Sequence, residues 1–221
     1  MHTKLLGAIR GLLIALVVLS GAIAVPILCR PFYYHHIVPL DLSEVSGLTV
    51  QQIKTAYGEV MRFCIGLTDT FSVGDLPFSQ SGAAHFADVR RLFVLDLWVW
   101  IAGILLLAGT YLRRSPEPVR LFGHTPGFWS AIGLSATLLT IGGLAVADFD
   151  RAFTLFHKLF FPGKDNWFFD PLTDPVVMIL PEEFFRNCAI LILVLVILIS
   201  IALIVNDSIL RNKGKNNPVC R

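Results

Sequence analysis

Four long apolar runs, residues 5–28, 92–112, 128–147 and 184–205, decide what this chain can become. Each is long enough to cross a hydrocarbon core as an α-helix, which takes about 20 residues. With 55% of its 221 residues hydrophobic and 15% charged, and a mean hydropathy of +0.69, the chain has too little polar surface to bury all four runs in one soluble core. Lipid offers the backbone no water, so each run must satisfy its own amides as a helix. The expectation is an all-α polytopic membrane protein with four transmembrane helices and both termini on one side.

Charge orients these spans. Lys4, Arg10, Arg113, Arg114, Arg120, Arg211, Lys213, Lys215 and Arg221 fall at the N-terminus, after the second span or in the tail, against only Glu117 and Asp207. By the positive-inside rule those segments are cytoplasmic. The chain then divides into transmembrane helix 1 (1–29), an extracellular cap loop (30–91), helix 2 (92–112), a cytoplasmic loop (113–126), helix 3 (127–147), an outer interfacial loop (148–183), helix 4 (184–205) and a basic cytoplasmic tail (206–221). A net charge of +2 does not call for a nucleic-acid partner. The first run has the outline of a signal peptide, but its apolar sequence continues to Leu28, so an uncleaved span is expected. Cys29, Cys64, Cys188 and Cys220 show neither C-x-x-C nor zinc-ligand spacing; Cys29 and Cys188 lie near the outer face, paired or as free thiols.

The first outer loop is expected to form a small extracellular cap of mixed α/β structure. Thr49 and Gln52 have the spacing of a capping box, and Val50, Ile53, Tyr57, Val60, Met61 and Cys64 form an apolar helical stripe behind it. Residues 71–73 and 76–78 have the pattern of short strands in a segment rich in Gly, Pro and Ser. In the second outer loop Pro162-Gly163 should stop a helix, and Pro181 followed by Glu182 and Glu183 should open the last one.

The chemistry gathers on two histidines. From Ser81 to Leu112 the sequence passes from polar to apolar without a breaker. At helical spacing His85, Leu92 and Asp96 lie within about 20° of one line, with Asp88 about 60° to one side. A carboxylate at Asp96, about one turn inside an apolar span, costs a few kcal/mol unless it faces a bundle interior or a wet cavity. In the second loop Asp150 and His157 share a helical face, and Trp167, Asp170 and Asp174 follow in an aromatic, acidic segment. Imidazoles titrating near pH 6.5 supply a general base and a general acid, and a carboxylate beside each fixes its tautomer. Two alternatives stand on the same residues: aspartates that only pair with Arg90, Arg91 or another helix, and histidines that are satisfied interfacial side chains. No G-x-S-x-G, S-x-x-K or H-E-x-x-H motif signals an acyl-enzyme or a zinc protease. A metal-dependent outer-leaflet lipid hydrolase using His85, His157 and an aspartate as ligands is a rival function. A non-enzymatic tetraspan accessory or sensor protein is another.

The succession Phe78-Ser79, Gly82, His85-Phe86, Asp88-Val89-Arg90, Leu92-Phe93, then Phe156-His157, Phe160-Phe161-Pro162, Trp167, Asp170-Pro171, Asp174, Leu180-Pro181 and Phe184-Phe185 resembles the lipoprotein intramolecular transacylase (Lit) family of Gram-positive bacteria. The likeness extends to the four-span layout, the large first outer loop and the chain length. It implies a bacterial cell-membrane enzyme that moves the sn-2 acyl chain of a diacylglyceryl-cysteine lipoprotein to the α-amino group of the same cysteine, giving the lyso-form. His85 and His157 would be the catalytic acid and base on the extracellular face, with Asp88 and Asp150 orienting them and Asp96, Trp167, Asp170 and Asp174 lining the site. The implied partners are a diacylated lipoprotein and membrane lipids, with no metal, other cofactor, nucleotide or nucleic acid.

Overall fold

A computed structural model describes residues 2–112 and 119–215. Arg113, Arg114, Pro116, Glu117, Pro118, Cys220 and Arg221 lie outside the described residues. The described chain is helical: α1 (His2–Leu28), α2 (Arg30–His36), α3 (Leu42–Ser46), α4 (Val50–Cys64), α5 (Gln80–Leu112), α6 (Pro126–Ala147), α7 (Phe149–Phe160), α8 (Val176–Ile179) and α9 (Glu182–Lys215). Four of these helices, α1, α5, α6 and α9, contain segments long and apolar enough to cross a membrane. The molecule is a multi-pass membrane protein. At 33 residues and 1.5 Å per residue, α5 is about 50 Å long, more than the ~30 Å of a hydrocarbon core. One rod therefore carries both a membrane span and the polar turns that bear His85.

The chain forms two compact units. The first comprises Ala24–Asp96 and Leu144–Leu191. Its α4 starts at a complete capping box: Thr49 N donates to Gln52 Oε1 at 3.0 Å and Gln52 N donates to Thr49 Oγ1 at 3.3 Å. The apolar stripe behind that cap is buried at Ile53, Tyr57, Val60, Met61 and Cys64, whereas Val50 at its start is exposed. Helices α3, α4 and α8 pack on one another. Tyr33 of α2 lies flat on Tyr57 at 3.6 Å between ring centroids and meets Phe184 edge-on at 5.1 Å. A fully buried phenol must find an acceptor, and Tyr33 Oη donates to the Ile179 carbonyl at 2.7 Å. Burial pushes the Tyr33 hydroxyl above its ordinary pKa, so it stays a donor. Cys29, Cys64 and Cys188 are free thiols.

The strands expected at 71–73 and 76–78 do not form, and the cap is helical rather than mixed α/β. Among the described residues there is no strand, only isolated bridges such as Val73 with Asp75. Two features of the segment account for this. Gly74, at φ +61°, reverses the chain between the two segments. Glu59 of α4 then pins that reversal, accepting from Ser72 Oγ at 2.6 Å and Gly74 N at 2.7 Å. The aromatic alternation serves packing instead: Phe71 contacts Phe63, Phe78 and Phe86.

The second unit comprises Met1–Ile23, Leu97–Gly143 and Ile192–Arg221. A charge this deep in a helix bundle must be bonded. Arg10, 6% exposed, donates to Thr110 Oγ1 at 3.3 Å and to the Thr110 carbonyl, with its guanidinium over Tyr111. Asp207, 1% exposed, binds His124 Nδ1 at 2.8 Å and accepts from Thr125 N at 2.7 Å, just before α6.

Candidate active site

Asp174 and Ser79 fix where α5 begins. Gly82 N donates to Ser79 Oγ at 2.9 Å, a side-chain cap on the first turn. The Asp174 carboxylate, buried to 4% exposure, accepts from Ser79 N at 2.7 Å through Oδ1 and from Thr173 Oγ1 at 3.0 Å through Oδ2. A negative charge is favoured at that end of a helix by the unpaired amides. Its approach requires a glycine, because a Cβ on Gly82 would lie 2.3 Å from Asp174 Oδ1. Asp170 builds the turn that presents Asp174: its Oδ1 accepts from Leu172 N at 2.9 Å and its carbonyl from Asp174 N at 2.8 Å.

His85, 5% exposed, follows one turn later on this tethered end. The second histidine comes from α7, whose first turn is capped by Asp148 accepting from Arg151 N at 2.9 Å. His157 is the buried residue of that amphipathic helix. Its Nδ1 lies 2.8 Å from the Phe153 carbonyl. A carbonyl only accepts, so Nδ1 carries the proton and Nε2 keeps its lone pair. The ring stacks on Trp167 at 4.6 Å, and the indole N–H is itself held by the Lys164 carbonyl at 3.0 Å.

The two imidazoles meet at 5.8 Å between ring centroids, inclined by 34°. Phe161 and Phe169 stand edge-on to His85 at 4.9 and 5.5 Å. Burial in these aromatic surroundings lowers the pKa of His157 below 6.5, against a smaller raising effect of its bond to the Phe153 carbonyl. Two imidazolium ions so close in an apolar setting repel, which disfavours a doubly protonated pair.

Asp88, one turn after His85, is buried but makes no hydrogen bond to either imidazole. It accepts from Lys164 Nζ at 2.5 Å, Arg91 Nη1 at 3.0 Å and Asn166 Nδ2 at 3.3 Å. Asp150 is exposed and lies beside Glu182. Asp96 is half-buried, and its Oδ2 has no partner among the described residues. His85, His157 and Trp167 are thus brought together directly, while Asp88 and Asp174 brace the same helix end. Asp96, Asp150 and Asp170 make no hydrogen bond to the imidazoles. With Asp88 taken up by cations, no third ligand joins the histidines, and among the described residues no three His, Cys, Asp or Glu side chains gather as a metal would need.

Sequence reasoning missed Lys164, Asn166, Phe161 and Phe169 as members of this cluster. Lys164 is 76 residues from the aspartate it binds, a separation at which helical spacing carries no information. Two polar atoms here are buried and unpartnered: His85 Nδ1 and Asn166 Oδ1. Such atoms are rare in folded proteins and call for an explanation.

The profile of the family described as lipoprotein intramolecular transacylase Lit matches residues 8–185. An uncharacterized protein of Aquifex aeolicus is 27% identical over 146 residues, 64% of this chain and 63% of that relative's length. A solved structure of the membrane-integral lipoprotein intramolecular transacylase Lit from Bacillus cereus is 25% identical, covers 98% of this chain and 99% of that one, and superposes with a TM-score of 0.88. A form of the same protein with a histidine-to-alanine mutation covers 98% and 96% with a TM-score of 0.81, also at 25% identity.

Proposed function

The chain belongs to the lipoprotein intramolecular transacylase family, and from that premise we propose that it moves the sn-2 acyl chain of a diacylglyceryl-cysteine lipoprotein to the α-amino group of the same cysteine, with His85 and His157 as its acid–base pair. The observation that carries this reading is the meeting of the two buried imidazoles at 5.8 Å, one with its tautomer fixed.

The proton count supports two bases. An α-ammonium, which ordinarily titrates near pH 8, must lose two protons to become an amide nitrogen, while the departing glyceryl oxygen needs only one. His85 accepts the first and passes it out of the site, leaving a neutral amine. That amine attacks the ester carbonyl, forming the C–N bond. His157 Nε2, unprotonated at rest, takes the second proton from nitrogen and delivers it to the glyceryl oxygen as the C–O bond breaks. Because a doubly protonated pair is disfavoured, the first proton leaves before the second is taken. Amine and ester belong to one bound molecule, so proximity is supplied by the substrate and no acyl-enzyme is needed. Trp167, Phe161 and Phe169 offer an apolar lining suited to acyl and glyceryl carbons. Asp174 and Asp170 act through the start of α5, Asp88 through its bonds to the loop, and Asp96 lines the approach from the span. Asp150 would orient His157 only after leaving Glu182.

The site faces the extracellular leaflet and both termini are cytoplasmic in this reading. Lys4, Arg10, Arg120, Arg211 and Lys213 all lie in the unit that lacks His85 and His157, and they support that orientation. Purified protein incubated with a synthetic diacylglyceryl-cysteine lipopeptide, followed by fragmentation of the product in a mass spectrometer, tests the function. The intact mass does not change on transfer, so fragments must place the acyl chain on the cysteine nitrogen. A product lighter by one acyl chain would make the protein a lipid hydrolase, and an unaltered lipopeptide would favour a non-enzymatic role.

A further inference from the structure

We infer that Asp88, Asn166 and His85 form the seat of the substrate's α-ammonium group, and that Lys164 occupies this seat with its own ammonium until substrate displaces it. The inference rests on the transacylase reading and deepens it.

A primary ammonium carries three N–H donors and no acceptor, so its seat must be built from acceptors. The site has them. Asp88 is a buried carboxylate on the same helix as His85, one turn further on. Asn166 donates its amide nitrogen to Asp88 Oδ2 at 3.3 Å, which turns its own oxygen the other way, buried and unpartnered. The carboxylate dictates that orientation, since an amide oxygen facing it would be repelled. His85 Nδ1 is the second buried, unpartnered atom, on the turn of α5 just before this carboxylate. One carboxylate, one amide oxygen and one imidazole nitrogen match the three donors, and the imidazole is the base the first proton transfer requires.

A primary ammonium already stands there, because Lys164 Nζ lies 2.5 Å from Asp88 Oδ2. It satisfies the carboxylate but leaves both orphaned atoms without a donor. The lysine sits directly after Gly163, in a turn at φ +72°, and 43% of its side chain is exposed. Its four-carbon stem can swing into water without unfolding anything. Arg91, with 78% of its side chain exposed, holds the other carboxylate oxygen and need not move.

The test uses two unreactive probes, dialkylglyceryl-cysteinyl peptides with ether links in place of both esters, one with a free N-terminus and one N-acetylated. Binding to wild-type protein at pH 7 should favour the free amine by about 10- to 100-fold, the range of a charge-assisted hydrogen bond. The preference should fade as pH rises past about 8, where the amine loses its charge. Asp88→Asn should abolish the preference while leaving the acetylated probe's affinity in place. Lys164→Met should tighten the free-amine probe alone. Equal affinity for both probes in wild-type protein would overturn the seat and leave the lipoprotein substrate standing. Failure of both probes to bind would overturn the seat together with the substrate reading. The wild-type comparison and its pH dependence need no variant, so a poorly folding Asp88→Asn cannot rescue or sink the inference.

Discussion

Gly82→Ala puts a single methyl group where it strikes the tether of the helix that carries His85. The new Cβ would lie 2.3 Å from Asp174 Oδ1, 3.0 Å from Asp174 Cγ and 3.1 Å from Phe169 Cε1. Neither neighbour is free to move. The carboxylate is bonded to Ser79 N and Thr173 Oγ1, and the Phe169 ring packs against His85. Overpacking of this kind costs about 1–3 kcal/mol, and a carboxylate forced off the Ser79 amide forfeits a further ~1.5–3 kcal/mol. Alanine gains only about 0.5–1 kcal/mol over glycine in a helix, so the clash decides the sign. The transfer rate should fall at least about 10-fold, and the melting temperature of the purified protein should drop by several degrees. Gly109→Ala is the control. It lies in the same helix with open space around it, and both rate and melting should stay close to wild type. Wild-type rate and melting in Gly82→Ala would refute the claim that Asp174 locks the start of α5.

Further consequences can be measured separately. Burial lowers His157 below its ordinary 6.5, so the folded protein binds fewer protons there than the unfolded chain. The associated stability is complete above about pH 6.5 and is lost as pH falls below it. The acid limb of the rate profile should therefore lie below pH 6.5, and a limb above that value would contradict the buried-base assignment. Tyr33→Phe keeps the stack on Tyr57 but strands the Ile179 carbonyl, which should destabilise the protein by about 1–2 kcal/mol. Thermal melting would show this, with the rate per folded molecule unchanged.

The helical framework was legible because it follows from local pattern. The apolar runs, the Thr49–Gln52 box and the stop at Pro162-Gly163 all state their structure within a few residues. The cap was not, because Glu59 decides the fate of residues 72–74 from a helix more than ten positions away. The site was legible by residue type and opaque in its pairings. Helical spacing placed Asp88 near His85 and Asp150 near His157, yet it could not show that Lys164 and Asn166 claim the first or that Glu182 of α9 neighbours the second. Asp174 has its place through Ser79, a contact made across 95 residues of chain, and through the space Gly82 leaves open.

The most direct measurement is the rate of N-acylation by wild type, His85→Ala, His157→Ala and the double variant, each checked for unchanged melting. If the imidazoles act as one proton-transfer unit, each single variant loses about 10²- to 10⁴-fold. The double variant then loses little more, because residues that work together are non-additive. Single variants that retain the wild-type rate, or losses that multiply in the double variant, would contradict a reaction run by the His85–His157 pair.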